Sequence, residues 1–459
     1  MPGQDNWNAF ACDVTEELLL GTAQKIVDYG LRDLGYYYVV LDDCWSAGRT
    51  ENGSLLANST KFPNGMKHVG DQLHDMGLSF GMYSSAGLHT CAHYTASLGR
   101  EKQDAATFAS WGVDYLKYDN CFNAGQAGTQ LLSYNRYNAM SQALKETGRP
   151  ILYSLCNWGE DYPWNWASTI ANSWRMSGDI YDSFDRPDAR CPCTSYDCGL
   201  PGFHCSVMNI LNKDAAIVSK AQPGGWNDLD NLEVGNGGMT DSEYVLHMSM
   251  WAILKSPLIM GTSIPDMSPQ TLSIYSNPAV IAISQDPLGV SAHRVWQHPA
   301  PTVDSDDQGS YSLWVGDLAG GDYVVALLNA GNDPLTMNAS LTDIFFDASS
   351  TSAGGPVPEI TRGWDVYDLW ANRMDNATAS SILGGNATVM DRMNATMRYN
   401  STRMSYADGL ARNESALLGS RVGAIAPMGT LNATVERHGI ALYRLRPVPS
   451  GGARKRDEL

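Results

Sequence analysis

No stretch of this 459-residue chain approaches the ~20 consecutive apolar residues that a membrane-spanning helix needs. Its opening segment, "MPGQDNWNAFAC", lacks the apolar core of a secretory leader. Basic residues are scarce, 31 Lys and Arg against 49 Asp and Glu, for a net charge of -18 and a pI near 4.8. Nothing in such a chain would neutralise phosphates, which excludes a nucleic-acid partner; a membrane partner is not expected either. The acidity fits neutral substrates and acidic surroundings, and equally the mere solubility of a secreted protein. There is no repeat at a solenoid period, and the strand ends that hold the carboxylates carry no paired histidines as metal ligands.

Apolar and aromatic residues, by contrast, are plentiful. With 43% hydrophobic residues, 13 Trp and 22 Tyr, the chain can bury a large core and is long enough for two domains. Nine N-x-S/T sequons occur, at Asn52, Asn58, Asn338, Asn376, Asn386, Asn394, Asn400, Asn413 and Asn432. That density points to a glycosylated chain from the secretory pathway, so a leader is expected upstream of the opening segment. The ending "ARKRDEL" is similar to an ER-retrieval tag, against the plainer reading of a solvated charged tail at 450–459. Of the nine cysteines, Cys191, Cys193, Cys198 and Cys205 cluster in "RCPCTSYDCGLPGFHC". Their spacing is not a usual zinc pattern, so two local disulfides are the better expectation. Cys12, Cys44, Cys91 and Cys121 lie far apart, as disulfide partners do, which leaves Cys156 as the odd thiol.

From about 15 to 290, short apolar runs alternate with helical patterns such as "TEELLLGTAQKIVDYGLRDLG" and "DSEYVLHMSMWAILKS". The runs lie at 35–45, 78–87, 113–121, 151–159, 172–179, 224–232 and 257–264. Strand–helix alternation implies a parallel sheet covered by helices. Seven such units and a first strand cut short at the start predict a (β/α)8 barrel over 1–290. Over 291–449 the pattern changes to apolar–polar alternation across glycine turns, as in "GSYSLWVGDLAGGDYVVALLNAG", predicting half-exposed antiparallel strands and a β-sandwich. Within it, 372–420 reads as a glycosylated excursion.

In such a barrel, function collects at the C-terminal ends of the strands. Those ends offer Asp42 and Asp43, Tyr83, Lys117 and Asp119, Cys156 and Trp158, Arg175 and Asp179, and Asp228 and Asp230. In "KYDNC", Lys117, Asp119 and Cys121 are spaced two apart and so face one side of a strand. A single strand-end aspartate is more often a helix cap; this many carboxylates on one rim are not explained as caps. Carboxylates, Trp and a cation or two are what a sugar pocket needs, with two further carboxyls for glycoside hydrolysis. Asp119, beside the Lys117 cation, suits an ionised nucleophile. Asp179 suits the acid, with Arg175 expected to reach the nucleophile or the substrate rather than Asp179.

Six segments in order, "NWNAFAC", "LDDCW", "KYDNC", "SLCNWG", "SWRMSGDI" and "GGWNDLDNL…WAILKSPLIMG", resemble the α-galactosidases of glycoside hydrolase family 27, the melibiases, and fungal members above all. The resemblance spans essentially the whole chain. It implies a barrel followed by an antiparallel β domain, and a retaining mechanism with no metal or other cofactor. Asp119 resembles the nucleophile and Asp179 the acid/base. Trp7 resembles the stacking residue, Asp42 and Asp43 the pair on the O4 and O6 hydroxyls, and Tyr83, Lys117, Arg175 and Asp230 further sugar contacts. Cys12–Cys44 and Cys91–Cys121 match family disulfides.

The chain departs from the family where "GQDN" precedes Trp7, so the first strand is expected to be altered or truncated, and where Asn157 follows Cys156 in place of a frequent Glu. The implied activity is removal of terminal α-galactose from oligosaccharides or galactomannan. An α-N-acetylgalactosaminidase is disfavoured because Cys156 and Trp158 would fill the space of the acetamido group. A β-L-arabinopyranosidase is disfavoured by the intact Asp42–Asp43 pair. A galactose-binding barrel without activity has no need of both Asp119 and Asp179.

Overall fold

The computed structural model describes residues 2–185, 205–303, 309–345, 358–396 and 398–448. Eight parallel strands form its first sheet: β1 Gly3–Asp5, β2 Tyr38–Leu41, β3 Ser79–Ser85, β4 Tyr115–Asp119, β5 Leu152–Cys156, β6 Ser173–Arg175, β7 Trp226–Asp228 and β8 Ile259–Met260. They neighbour one another in the order β8-β1-β2-β3-β4-β5-β6-β7. Leu232, just past β7, closes the ring: its N–H donates to Ile259 O (2.7 Å), and Gly261 N–H donates to its carbonyl (2.9 Å). The first strand is short yet in place, paired with both β2 and β8, so "GQDN" is a working barrel strand.

The helices form for local reasons. In Glu16–Asp28, Thr15 accepts from Leu18 N–H as the N-cap, and Leu19, Ala23 and Ile26 fall on the buried face at helical spacing. In Asp241–Ile253, Thr240 and Glu243 form a reciprocal capping box, and nearly the whole helix is buried because it lies between the barrel and the second domain. Among the described residues, no helix is long and apolar enough to cross a membrane.

The second domain begins with the strand His293–Pro299. Its main sheet runs His293–Pro299, Ser310–Asp317, Tyr323–Asn329, Gly439–Pro447, Trp364–Asp368 and Ser420–Ile425, all antiparallel, and a second sheet pairs Leu335–Ser340 with Thr430–Val435. Alternation shows where each face goes. Leu313, Val315, Val325 and Leu327 pack between the sheets with Met337 and Leu431, whereas Trp314, Val324, Ala326 and Leu328 join the core of the barrel. The central strands are therefore buried on both faces, not half-exposed as the alternation predicts. Their outer face is covered by the barrel rather than by water.

The stretch 372–420 is helical, with Asn376–Leu383, Val389–Ala395, Tyr406–Ala411 and Ser415–Leu418. It straps along the side of the barrel, from the start of the helix Asp241–Ile253 to the end where the strands begin. Tyr406 Oη donates to Leu34 O (2.8 Å), Ser401 N–H to Asp33 O (2.7 Å), and Arg373 grips Asp241 with two 2.6 Å bonds. Tyr406→Phe removes one buried bond and leaves a carbonyl unpaired. It should lower stability by roughly 1–2 kcal/mol and leave kcat and KM unchanged; chemical denaturation beside steady-state kinetics checks both.

Candidate active site

The ends of β1 to β7 surround a cavity of about 420 Å³ whose lining includes Trp7, Asp42, Asp43, Tyr83, Lys117, Asp119, Cys156, Arg175, Asp179 and Asp230. Register brings them together: Tyr83 lies beside Lys117, Asp119 beside Cys156, and Arg175 beside Asp228 on neighbouring strands. Of the residues named from the sequence, Asp228 is buried at the end of β7 without lining the cavity, and Trp158 lies off to one side. It turns off at a positive φ of 56° into an adjoining cavity with Asn120, Phe122 and Glu160, which meets the main one at Cys91 and Asp179. The wall beside Asp119 is thus Cys156, without the indole.

Two cations organise the carboxylates. Lys117 Nζ lies 2.7 Å from Asp42 and 3.7 Å from Asp5, not on Asp119 as its place in the sequence suggests. Burial works against the Lys117 ammonium, but Asp42 and Asp5 outweigh it and raise its pKa well above the ordinary value. Arg175 Nη2 bridges Asp230 (2.6 Å) and Asp179 (2.9 Å), so it does point at Asp179, contrary to expectation. Asp179 is four residues on, past a bend in the chain, within easy reach of the guanidinium. Arg175 Nη1 also donates to Cys156 Sγ (3.6 Å), whose thiol burial pushes well up and keeps protonated.

Asp119 is 6% exposed, whereas the Asp179 side chain is 39% exposed at the rim. Asp119 accepts from Tyr83 Oη (3.0 Å) and from the N–H of Asn120 (2.8 Å). Burial raises its pKa to about 7; Lys117 opposes the shift and Asp179 adds to it. Asp43, also raised by burial, accepts from the N–H groups of Cys44 (2.7 Å) and Ala92 (2.9 Å).

Disulfides Cys12–Cys44 and Cys91–Cys121 both form, each with Cα atoms 5.2 Å apart, and Cys156 is a buried free thiol. The Cys91–Cys121 link draws the loop after β3 against β4, where Gly87 passes so close that a Cβ would sit 1.8 Å from Cys121 O. Only glycine fits there. Cys205 is disulfide-bonded, and Cys191, Cys193 and Cys198 lie outside the described residues.

The structure adds residues that the strand-end pattern does not single out. Asp5 pairs with Lys117 beneath the pocket, and its signal was available: it is the strand-end residue of β1, two before Trp7. Asn8, in the short helix Trp7–Phe10, and Asp182, Glu233 and Asn236, on loops, also line the pocket. Glu233 takes the side-chain amides of Asn8 and Asn236, tying the short helix after β1 to the loop after β7, and burial raises its pKa to about 8. Inside the apolar-leaning "NLEVGN" nothing marks it.

Known proteins share this architecture along its whole length. The family model described as Alpha galactosidase A matches residues 4–286, and that of the alpha galactosidase C-terminal beta sandwich domain matches 308–393. The chain belongs to the α-galactosidases of glycoside hydrolase family 27. An alpha-galactosidase of Lachancea cidri is 60% identical over 447 residues, covering 97% of this chain and 93% of that protein. The solved α-galactosidase (MEL1) of Saccharomyces cerevisiae superposes with a TM-score of 0.93 at 55% identity, covering 98% of this chain and 97% of that one. A structure of the Saccharomyces cerevisiae enzyme with raffinose matches equally well.

The buried acids of this α-galactosidase fix the sign of its pH-dependent stability. Asp119 is raised to about 7, Asp228 to about 6 and Glu233 to about 8, each chiefly by burial. Unfolded carboxyls titrate near 4, so between about pH 4 and 8 the folded state holds more protons than the unfolded one. The contribution of these three acids is full below that window and is lost as pH rises through it, by at least ~2 kcal/mol. The melting temperature should therefore be higher at pH 5 than at pH 8, and Glu233→Gln should flatten the decline. A melting temperature that rises with pH would contradict this account.

Proposed function

We propose that this α-galactosidase is exo-acting and retaining, and that Asp119 and Asp179 carry its two-step displacement. What supports the assignment is one contrast: a buried carboxylate on the pocket floor faces a half-exposed one at the rim. A terminal galactose enters the cavity, whose floor is closed by the strand ends, and its leaving group points out past Asp179. Trp7 stacks on the apolar face of the sugar, and Asp42 and Asp43 take its O4 and O6 hydroxyls, with Lys117 holding Asp42 in place. Asp119 attacks the anomeric carbon while Asp179 protonates the departing oxygen. Water then attacks the β-galactosyl intermediate as Asp179 takes its proton. Asp230 shares Arg175 with Asp179, so the guanidinium steadies both carboxylates throughout the cycle.

The substrates are α-galactosides with the sugar at a non-reducing end, in oligosaccharides or galactomannan. The disulfides suit an oxidising compartment. Asn52, Asn338, Asn376, Asn386, Asn394, Asn413 and Asn432 are exposed, as glycan acceptors of a secreted protein must be. Cys156 and Arg175 fill the wall where a 2-acetamido group would sit, so kcat/KM for an aryl α-galactoside should exceed that for the α-N-acetylgalactosaminide by about three orders of magnitude or more. Comparable values would overturn the galactoside assignment.

Azide rescue tests the two roles together. In Asp179→Ala an activated aryl galactoside still forms the intermediate, and azide, which needs no general base, should release α-galactosyl azide. In Asp119→Gly no intermediate forms, and azide entering from the opposite face should give the β anomer. If both variants yield the same anomer, the roles of nucleophile and acid are misassigned.

A further inference from the structure

The segment that carries Asp179 leaves β6 and runs alongside the start of the helix Val207–Asp214. Asp179 O accepts from Cys205 N–H (2.5 Å), Ile180 N–H donates to Asp230 (2.8 Å), and Ser183 O and Phe184 O accept from Val207 N–H (3.0 Å) and Met208 N–H (2.9 Å). Its middle is tied by Asp182, which accepts from Tyr244 Oη (2.9 Å) and from Gly238 N–H. Its outer end is held from the other domain. Asp185 accepts from Gly309 N–H (3.1 Å), and the Phe184 ring stacks on the imidazole of His438, with centroids 4.5 Å apart and planes 25° from parallel.

His438 sits in the tight turn between the sandwich strands Thr430–Val435 and Gly439–Pro447, at a φ of 46° in the left-handed region that a non-glycine residue seldom occupies. That backbone directs its ring out of the sandwich and into the barrel, where it is 5% exposed, as is Phe184. Its Nδ1 meets Glu243 Oε1 at 2.6 Å. Glu243 is also the capping-box residue of the helix Asp241–Ile253, and its neighbour Tyr244 is the group that holds Asp182. One helical turn of the barrel thus receives the catalytic segment through Tyr244 and the second domain through Glu243.

We propose that His438 is a positioning residue for Asp179: stacked on Phe184 and paired with Glu243, it fixes the segment that presents the acid/base, so the second domain sets the protonation step. This rests on the reading of Asp179 as that acid. The two effects separate by leaving group. A displaced general acid slows departure of an alkoxide, which needs the proton, and spares a dinitrophenolate, which does not. His438→Ala should lower kcat/KM for methyl α-galactoside by ~10-fold or more, while kcat/KM for 2,4-dinitrophenyl α-galactoside stays within about 3-fold. His438→Gln, which can keep a bond to Glu243 but not the stack, should lose selectively in the same direction by a smaller factor, and serves if the alanine variant does not fold. Equal losses on both substrates, or no loss on either, would overturn the proposal, since a purely structural role moves them together. Asp179→Ala is the internal reference. If it too shows no dependence on leaving group, the assignment of the acid has failed; if it does and the His438 variants do not, the positioning role alone has failed.

Discussion

Charge burial is the constraint on which this pocket depends. Asp5, Asp42, Asp43, Asp119, Asp228 and Asp230 are all removed from water around one cavity, with Lys117 and Arg175 as the cations among them. Unpaired, such carboxylates would take up protons and no longer serve as anions. The two cations oppose this uptake by sharing. Lys117 serves Asp42 and Asp5, and Arg175 serves Asp230 and Asp179. Sharing requires neighbouring strands to end level with one another, which the parallel register supplies. A one-residue slip in β4 would turn Lys117 and Asp119 together toward the helices.

Backbone amides provide what the two cations do not. Asp42, Asp43, Asp119 and Asp230 each accept from the N–H of the next residue, at 2.7–2.8 Å. This folding-back is steep enough that Cys44 and Asp230 take positive φ values of 71° and 78°. Such conformations cost of order 1–3 kcal/mol each and persist only where the surroundings impose them. Here a disulfide at Cys44 and the Trp251 indole on Asp230 O (2.7 Å) do so. The strand ends are therefore held in place by the fold itself.

The strand ends were legible because parallel strands carry their signal locally, in short apolar runs that stop at polar residues. Trp7, Asp42, Asp43, Tyr83, Lys117, Asp119, Cys156, Arg175, Asp179 and Asp230 meet in one cavity because topology alone brings strand ends together. The direction of a long side chain is not local. Lys117 could reach Asp119 on its own strand or Asp42 two strands away, and it takes the latter because Asp5 lies there too. Trp158 follows a strand end in sequence, yet a left-handed residue turns it into the next cavity. Glu233 and Asn236 act across the barrel seam, and no period or motif marks a contact of that kind. The excursion at 372–420 hid its helices for another reason. They are short, and three of them bury only one or two apolar residues each in the barrel's core while Val389–Ala395 leaves Val389, Met390 and Met393 exposed, so no isolated amphipathic pattern announces them.

The seam itself explains why the second domain is built into the first. β8 has two residues and offers its neighbours few ladder bonds, so closure falls to Leu232, to the Glu233 amide ties and to the helices beyond. The helix Asp241–Ile253 lies over that seam and is buried almost all round, with Leu246, Met248, Met250, Trp251 and Ile253 among the groups that would otherwise meet water. The sandwich face with Trp314, Val324, Ala326, Leu328 and Leu442 covers it and shares its core. A barrel cut off before the first sandwich strand would expose that helix along with Glu243 and Phe184. The weakest part of the ring and the segment bearing Asp179 thus depend on the same buried surface.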